Sequence, residues 1–231
     1  MPVFAIADLH LPGGSDKPMD IFGSQWDRHF ETICANWRRN VGPDDIVLIP
    51  GDISWAMQLV QAVPDLRNIA GLPGRKVLLR GNHDYWWRSV SRVRECLPEG
   101  MYAVQNDALA LDGFTFCGTR GWIFPTVANP LEEQDEKIYR REVIRLRISL
   151  EAAVKVGTTD PVVAMTHFPP LPADGEETEF SRLFSVFGVR DVVYGHLHGP
   201  AIKNGFTGAR GGVRYHLASC DAIGFSPVRV G

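Results

Sequence analysis

Apolar, β-branched runs recur along the chain, and each stops at a knot of polar residues. "VFAIA" (Val3 to Ala7) runs into Asp8-Leu9-His10, and "DIVLIP" (Asp45 to Pro50) into Gly51-Asp52. "KVLLR" (Lys76 to Arg80) meets Gly81-Asn82-His83-Asp84, "PVVAMT" (Pro161 to Thr166) meets His167, and "DVVY" (Asp191 to Tyr194) meets Gly195-His196-Leu197-His198. Continuous apolar runs of this length predict strands buried on both faces. Helical patterns lie between the first three, roughly over 25–40 and 56–70, with another near 86–96. Strand, helix, strand in this order predicts parallel sheet, and one edge of such a sheet is where α/β proteins place their sites.

The middle of the chain reads differently. "ALALDGFTFCGTRGW" alternates around Asp112-Gly113, a hairpin signal. Residues 132–156 predict one charged helix capped by Gly157, and its run "EEQDEKIYRREVIRLR" suits a solvated face carrying i,i+4 pairs. "AIKNGFTGARGGVRYHLAS" predicts further hairpin strands. No repeat, low-complexity segment or long linker divides the chain, so the pattern predicts a single domain over 1–231, built on two sheets.

Composition narrows the class. A chain of 231 residues with 45% hydrophobic and 22% charged residues fits a globular protein rather than a disordered one. A net charge of −3 supplies no global basic field for nucleic acid. The start "MPVFAIADLH" enters a strand directly, without a basic leader or a long apolar span, so the expectation is a cytoplasmic protein with no membrane partner. The four cysteines are widely spaced with no C-x-x-C pair, which suits reduced thiols.

The chemistry lies in the knots. Of seven histidines, only His29 and His216 fall outside them. A lone histidine at a strand end is usually a satisfied structural residue. Five of them beside Asp8, Asp52 and Asn82 are different, because buried together without a cation they would suffer desolvation and mutual repulsion. D-x-H and H-x-H place alternate residues on one side of an extended strand end, so both can point at one centre. Asp52 follows a glycine and suits a bridge between two cations through its two oxygens. Imidazole and oxygen without thiolate favour Mn, Fe, Zn, Co or Mg over a structural zinc site. Two divalent metal ions ~3.5–4 Å apart polarise a phosphoryl group and hold a hydroxide in line for attack.

In order and spacing, Asp8-x-His10, Gly51-Asp52, Gly81-Asn82-His83-Asp84, His167 and Gly195-His196-x-His198 resemble the five-block pattern of the calcineurin-like metallophosphoesterases. "DLHL", "GDISWAM", "GNHDYWW" and "GTRGW" are similar to a bacterial branch of predicted phosphohydrolases within that superfamily. The resemblance implies an α/β fold of four αββα layers, a two-sheet β-sandwich flanked by helices. It implies that Asp8, His10, Asp52 and His198 hold a first ion, with manganese the first expectation. Asp52, Asn82, His167 and His196 hold the second, with Asp52 bridging. It also implies that His83 stabilises or protonates the departing oxygen, that Asp84 orients His83, and that Asn82 lies close to the substrate.

The chain departs from the phosphoprotein phosphatases of that superfamily. They resemble G-D-x-V-D-R-G where this chain reads "GDISWAM", and here Asp84 rather than Glu follows His83. The expected substrate is therefore a small phosphate ester, a diester before a monoester. The rival readings are a nuclease and a metal-binding scaffold without activity. Arg120 in "GTRGW" is a candidate phosphate clamp, since a guanidinium binds phosphate oxygens bidentately, against the plain reading of a turn arginine. The Gly/Pro-rich loop "LPGGSDKPMDIFG" has the length of a binding loop and offers Lys17. Trp55, Trp86, Trp87 and Trp122 adjoin the knots; packing is the usual role of such tryptophans, and a stacking wall for a flat group the other. The acidic stretch 173–180 after His167 would repel a long polyanion.

Overall fold

Pleat parity along the strands sorts the apolar residues into three layers of core. In the computed structural model, which describes residues 1–14, 19–126, 130–156 and 160–230, strands β1 (Val3–Ala5), β2 (Ile46–Pro50), β3 (Arg75–Leu79) and β4 (Met101–Ala103) form a parallel sheet. A second sheet holds β5 (Ala108–Leu111), β6 (Phe114–Gly118), β7 (Val162–Met165), β8 (Asp191–Tyr194), β9 (Gly208–Arg210) and β10 (Val213–Leu217), in the order β5-β6-β7-β8-β10-β9. β11 (Val228–Val230) returns antiparallel to the outer side of β1. Lys17 and Gly157, which the sequence marks as a binding-loop residue and a helix cap, lie outside the described residues.

Alternate residues face opposite ways. Val3, Ala5, Leu48, Val77, Phe116 and Val163 form the layer between the sheets. Phe4, Val47, Ile49 and Leu78 point outward, under helices α1 (His29–Asn40), α2 (Leu59–Ala70) and α3 (Val90–Cys96). Cys117, Ala164, Val192 and Tyr194 of the second sheet lie under α4 (Glu133–Val156) and α5 (Glu179–Val186). Burying one such Val, Leu or Phe side chain stabilises by about 1.5–3 kcal/mol, so the sandwich is a rigid base for whatever stands at its strand ends. The expected two-sheet β-sandwich flanked by helices is the architecture found.

Three expectations change. The five knots do not share one sheet edge: three follow β1, β2 and β3, and two follow β7 and β8 of the other sheet. The hairpin at Asp112-Gly113 is the cause, because it opens a second sheet that α4 then covers; both turn residues have positive φ (51° and 78°), as a type I′ turn requires. The helices also start later than their apolar pattern, at His29, Leu59 and Val90. The segments before α2 and α3 carry Asp52 and Asp84, whose carboxylates bind backbone N–H groups and hold those stretches irregular. Finally, the acidic stretch 173–180 ends in α5, where Thr178 and Ser181 form a capping box. Glu179 pairs with Arg140 and Glu177 with Arg182, so part of that negative charge is neutralised locally.

The two outlying histidines have structural roles. His216 Nε2 donates to Asp191, a fully buried carboxylate that also accepts from Arg190 and Arg214. His29 Nε2 donates to the carbonyl of Leu9, between Asp8 and His10.

Candidate active site

The loops after β1 and β2 are zipped to each other: Asp8 N donates to Gly51 O, His10 N to Asp52 O and Leu11 N to Ile53 O, each at 3.0 Å. Asp8, His10, Asp52 and His196 all have positive φ (61°, 45°, 51° and 75°). For residues with a Cβ this conformation costs on the order of 1 kcal/mol or more each and persists where surrounding bonds impose it. Asp8 and His10 therefore converge through left-handed kinks and not, as the D-x-H spacing suggests, through the pleat of an extended strand. Close approach completes the assembly. A Cβ on Gly51 would stand 2.7 Å from both Gly81 Cα and His167 Nδ1, and one on Gly195 would stand 2.5 Å from Asp8 Oδ2.

Two groups of donors result. In one, Asp8, His10 and His198 offer ligand atoms all within 4.8 Å of one another; in the other, Asp8, Asp52 and His167 do the same. Asn82 Oδ1 joins the second group, 2.6 Å from His167 Nε2 and 3.0 Å from His196 Nδ1. Asp52 stands between them. Its Oδ1 accepts from His83 N at 2.8 Å, so Oδ2 is the oxygen facing both sides, 3.4 Å from His167 Nε2 and 4.0 Å from His10 Nε2.

The protons on these rings test whether cations fit. His167 Nδ1 donates to the Pro50 carbonyl, which fixes the tautomer and turns the Nε2 lone pair toward Asn82 Oδ1, His196 Nδ1 and Asp52 Oδ2. Acceptors would then face acceptors unless a positive charge lies among them. His198 is fixed likewise: Nδ1 donates to Asp221 Oδ1 at 2.9 Å, and Nε2 is a buried atom without a hydrogen-bond partner among the described residues, 3.8 Å from Asp8 Oδ1, which also lacks one there. Imidazole nitrogens and carboxylate oxygens left in this way are the donor set of a borderline divalent cation. The residues fit the group.

Electrostatics agree. Burial pushes Asp8 up to about 6 and His10 down to about 3; burial and the charge on His167 take His196 down to about 3. Burial opposes charge on His167, but the Asp52 and Asp8 carboxylates outweigh it and raise the ring from 6.5 to about 9. A folded-state value above the unfolded one gives stability that is present below about pH 6.5 and lost as pH rises through about 9. Chelator-stripped protein is expected to lose several degrees of Tm over that window. Protein loaded with divalent ions should hold its Tm, because the cation takes the proton's place. A stripped protein with a flat profile would show that His167 does not carry this charge.

The flanking residues are also placed. Asp84, fully buried, accepts from Ile53 N, Ser54 N and Trp86 Nε1 through Oδ1, and from Gly81 N through Oδ2. These four bonds lock the Asp52 loop to the Asn82 loop. The His83 ring lies 4.7 Å from Trp55 and 6.0 Å from His10. Trp55 in turn stacks on His10, with centroids 4.9 Å apart. Beside them opens a mostly apolar pocket of about 290 Å³, walled by Met19, Phe22, Trp26, Trp55, His83 and His198. Trp86 and Trp87 are core residues, as the plain reading has it. Trp122 packs on Phe168 and lies under the Arg120 guanidinium, 4.6 Å away. Arg120 is set apart from the donor groups: its carbonyl accepts from His167 N, while its side chain lines a second, polar cavity. Sequence reasoning missed Asp221 and Trp26, which hold His198 from two sides.

Paired donor groups of this kind, set at the strand ends of a two-sheet sandwich, define a metal-dependent phosphohydrolase centre. The profile of the calcineurin-like phosphoesterases matches residues 1–200, and the chain belongs to that family. It is 29% identical over 202 residues to the gene 66 protein of Mycobacterium phage L5, covering 85% of this chain and 77% of the relative. It is 28% identical over 213 residues to the gene 66 protein of Mycobacterium phage D29, covering 90% and 84%. Among solved structures, the fold resembles a phosphopantetheinyl hydrolase from Mycobacterium tuberculosis (TM-score 0.56, 16% identity, 99% of this chain and 95% of the other). It also resembles a protein of unknown function from Aquifex aeolicus (TM-score 0.52, 14% identity, 99% and 95%). No helix among the described residues is long and apolar enough to cross a membrane.

Proposed function

We propose that residues 1–231 act as one metallophosphoesterase domain that hydrolyses a small phosphodiester at a pair of divalent ions. The carrying observation is the placement of Asp52 Oδ2 between two groups of converging ligand atoms, in which Asp8 Oδ1 and His198 Nε2 lack hydrogen-bond partners among the described residues. Asp8, His10, Asp52 and His198 would hold one ion; Asp52, Asn82, His167 and His196 would hold the other. When bound, such a pair supplies Lewis acidity and a nucleophile drawn from water at neutral pH. Manganese is our first choice, with Fe, Zn, Co and Mg as the alternatives the donor set admits.

The chain's own residues do the rest. Pro50 and Asp221 fix the His167 and His198 tautomers, so that each ring presents its Nε2 lone pair to the centre. Asp84 keeps the Asp52 and Asn82 loops in register. His83 stands between the donor groups and the apolar pocket, where it can give a proton to the departing oxygen. That pocket offers an ester arm a wall of tryptophan and methionine. A cytoplasmic setting belongs to the same reading.

A metal-by-substrate screen tests it. Protein stripped and reloaded with single cations is assayed on bis(p-nitrophenyl) phosphate, p-nitrophenyl phosphate and single-stranded DNA. The expected order in kcat/KM is diester, then monoester, then DNA. DNA cleaved fastest would make the protein a nuclease, and no turnover with any cation would make it a scaffold.

A further inference from the structure

A second cavity, of about 80 Å³, opens beside the C-terminal ends of β3 and β6, next to the loops that carry Asn82 and His167. Arg80, Arg120, Arg145, Asn106, Thr119 and Glu142 line it. Arg80 directly precedes the Gly81-Asn82 turn, and Arg120 binds the His167 backbone through its carbonyl, so the cavity wall is continuous with the ligand loops. Its charges do not balance. Glu142, the one carboxylate lining it among the described residues, is buried and already accepts from Arg145 Nη1 at 2.6 Å, from Gly121 N and from Thr119 Oγ1. Among the described residues, Arg80 Nε and Arg120 Nε are buried atoms with no hydrogen-bond partner. Three guanidiniums thus share one carboxylate. Buried, unpaired donors on cations are costly, and an entering anion relieves that cost.

We propose that this cavity receives a second anionic group of the substrate, a phosphate or a carboxylate, while the ester is cleaved at the neighbouring centre. The substrate class is then a phosphodiester with one apolar arm and one acidic arm. Planar guanidiniums suit such a group, because their paired N–H donors match phosphate and carboxylate oxygens. Trp122 beneath the Arg120 guanidinium holds its plane in place. The assignment of the cavity to a substrate arm rests on the phosphoesterase reading, whereas its affinity for anions does not.

The test therefore has two arms. In the first, metal-free full-length protein is titrated calorimetrically with inorganic phosphate. One site per chain is expected, weakened about tenfold or more in Arg145→Met, as loss of a charge-assisted pair predicts. Glu142→Gln, which removes the competing negative charge, should instead tighten binding. That opposite sign is one a merely structural role would not produce. Phosphate that binds only after metal loading, or equally to all three proteins, would overturn the anion site. In the second arm, loaded enzyme is given p-nitrophenyl propyl phosphate and its analogue with a terminal phosphate on the propyl arm. Wild type should prefer the doubly acidic diester, and Arg145→Met should lower that preference about tenfold, mainly through KM. Equal losses on both would place the arginines on the scissile phosphate, or show a site for free phosphate, and would overturn the substrate arm. If neither ester is cleaved with any cation, the phosphoesterase reading fails, and the first arm still decides the anion site.

Discussion

Asp52→Asn is expected to abolish nearly all hydrolysis and to weaken metal binding at both positions. Asparagine keeps the shape and can still accept the His83 N–H through an oxygen, so the loop should survive. What it loses is the charge. Asp52 Oδ2 is the atom that faces both His10 and His167, and with the amide oxygen engaged by His83 N–H, the neutral NH2 group placed there can hold neither cation. Loss of an outer partner of a metal ligand already costs roughly 10–100-fold in affinity or activity, and loss of a bridging ligand should exceed that. His198→Ala makes the comparison sharp. Its Nε2 belongs to the Asp8 and His10 group, so that variant should lose one ion and retain the other. The measurement is elemental analysis at saturation, alongside kcat/KM on the same samples. Wild type saturating with one ion per chain, or an Asp52→Asn enzyme with normal turnover, would sink the two-ion assignment.

The residues that form the donor groups were legible because each ends an apolar run, and nothing else explains five histidines at such places. Their geometry was not. The D-x-H spacing suggests an extended strand, yet Asp8 and His10 sit in the left-handed region because the β1 loop is bonded to the β2 loop residue by residue. That constraint comes from a segment forty residues away, which no local pattern records. Asp84 shows the same limit. Beside His83 in sequence it reads as a partner of that ring, and only the folded chain shows that four backbone and indole N–H groups from two loops also converge on its carboxylate. Asp221 lies 23 residues beyond His198 in a turn-rich segment with no motif around it, and only the folded chain shows it fixing that imidazole. The arginine cavity needs three arginines, two just past the ends of β3 and β6 and one from α4, brought together by the stacking of two sheets and a helix.

His83→Ala should separate leaving-group chemistry from metal binding. The ring stands at the edge of the apolar pocket, 6.0 Å from His10 and against Trp55, where a departing ester arm would lie. Its backbone N–H, which remains in the alanine variant, is the part that holds Asp52. Both ions should therefore stay. If the imidazole protonates the departing oxygen, its value depends on how badly that oxygen needs a proton. An alkoxide, basic far above neutral pH, gains the full ~10²–10⁴-fold that a general acid supplies. A nitrophenolate leaves well unaided and gains much less. His83→Ala is thus expected to cleave bis(p-nitrophenyl) phosphate with a modest defect and to fail almost completely on an alkyl diester. His167→Ala gives the contrast: it removes a donor that Asp52 and Asn82 both face, so it should be poor on both esters and should lose metal. The measurement is kcat/KM for each variant on one aryl and one alkyl diester, with metal content read on the same protein. Equal losses on the two esters at full occupancy would mean that His83 positions the phosphate and gives no proton.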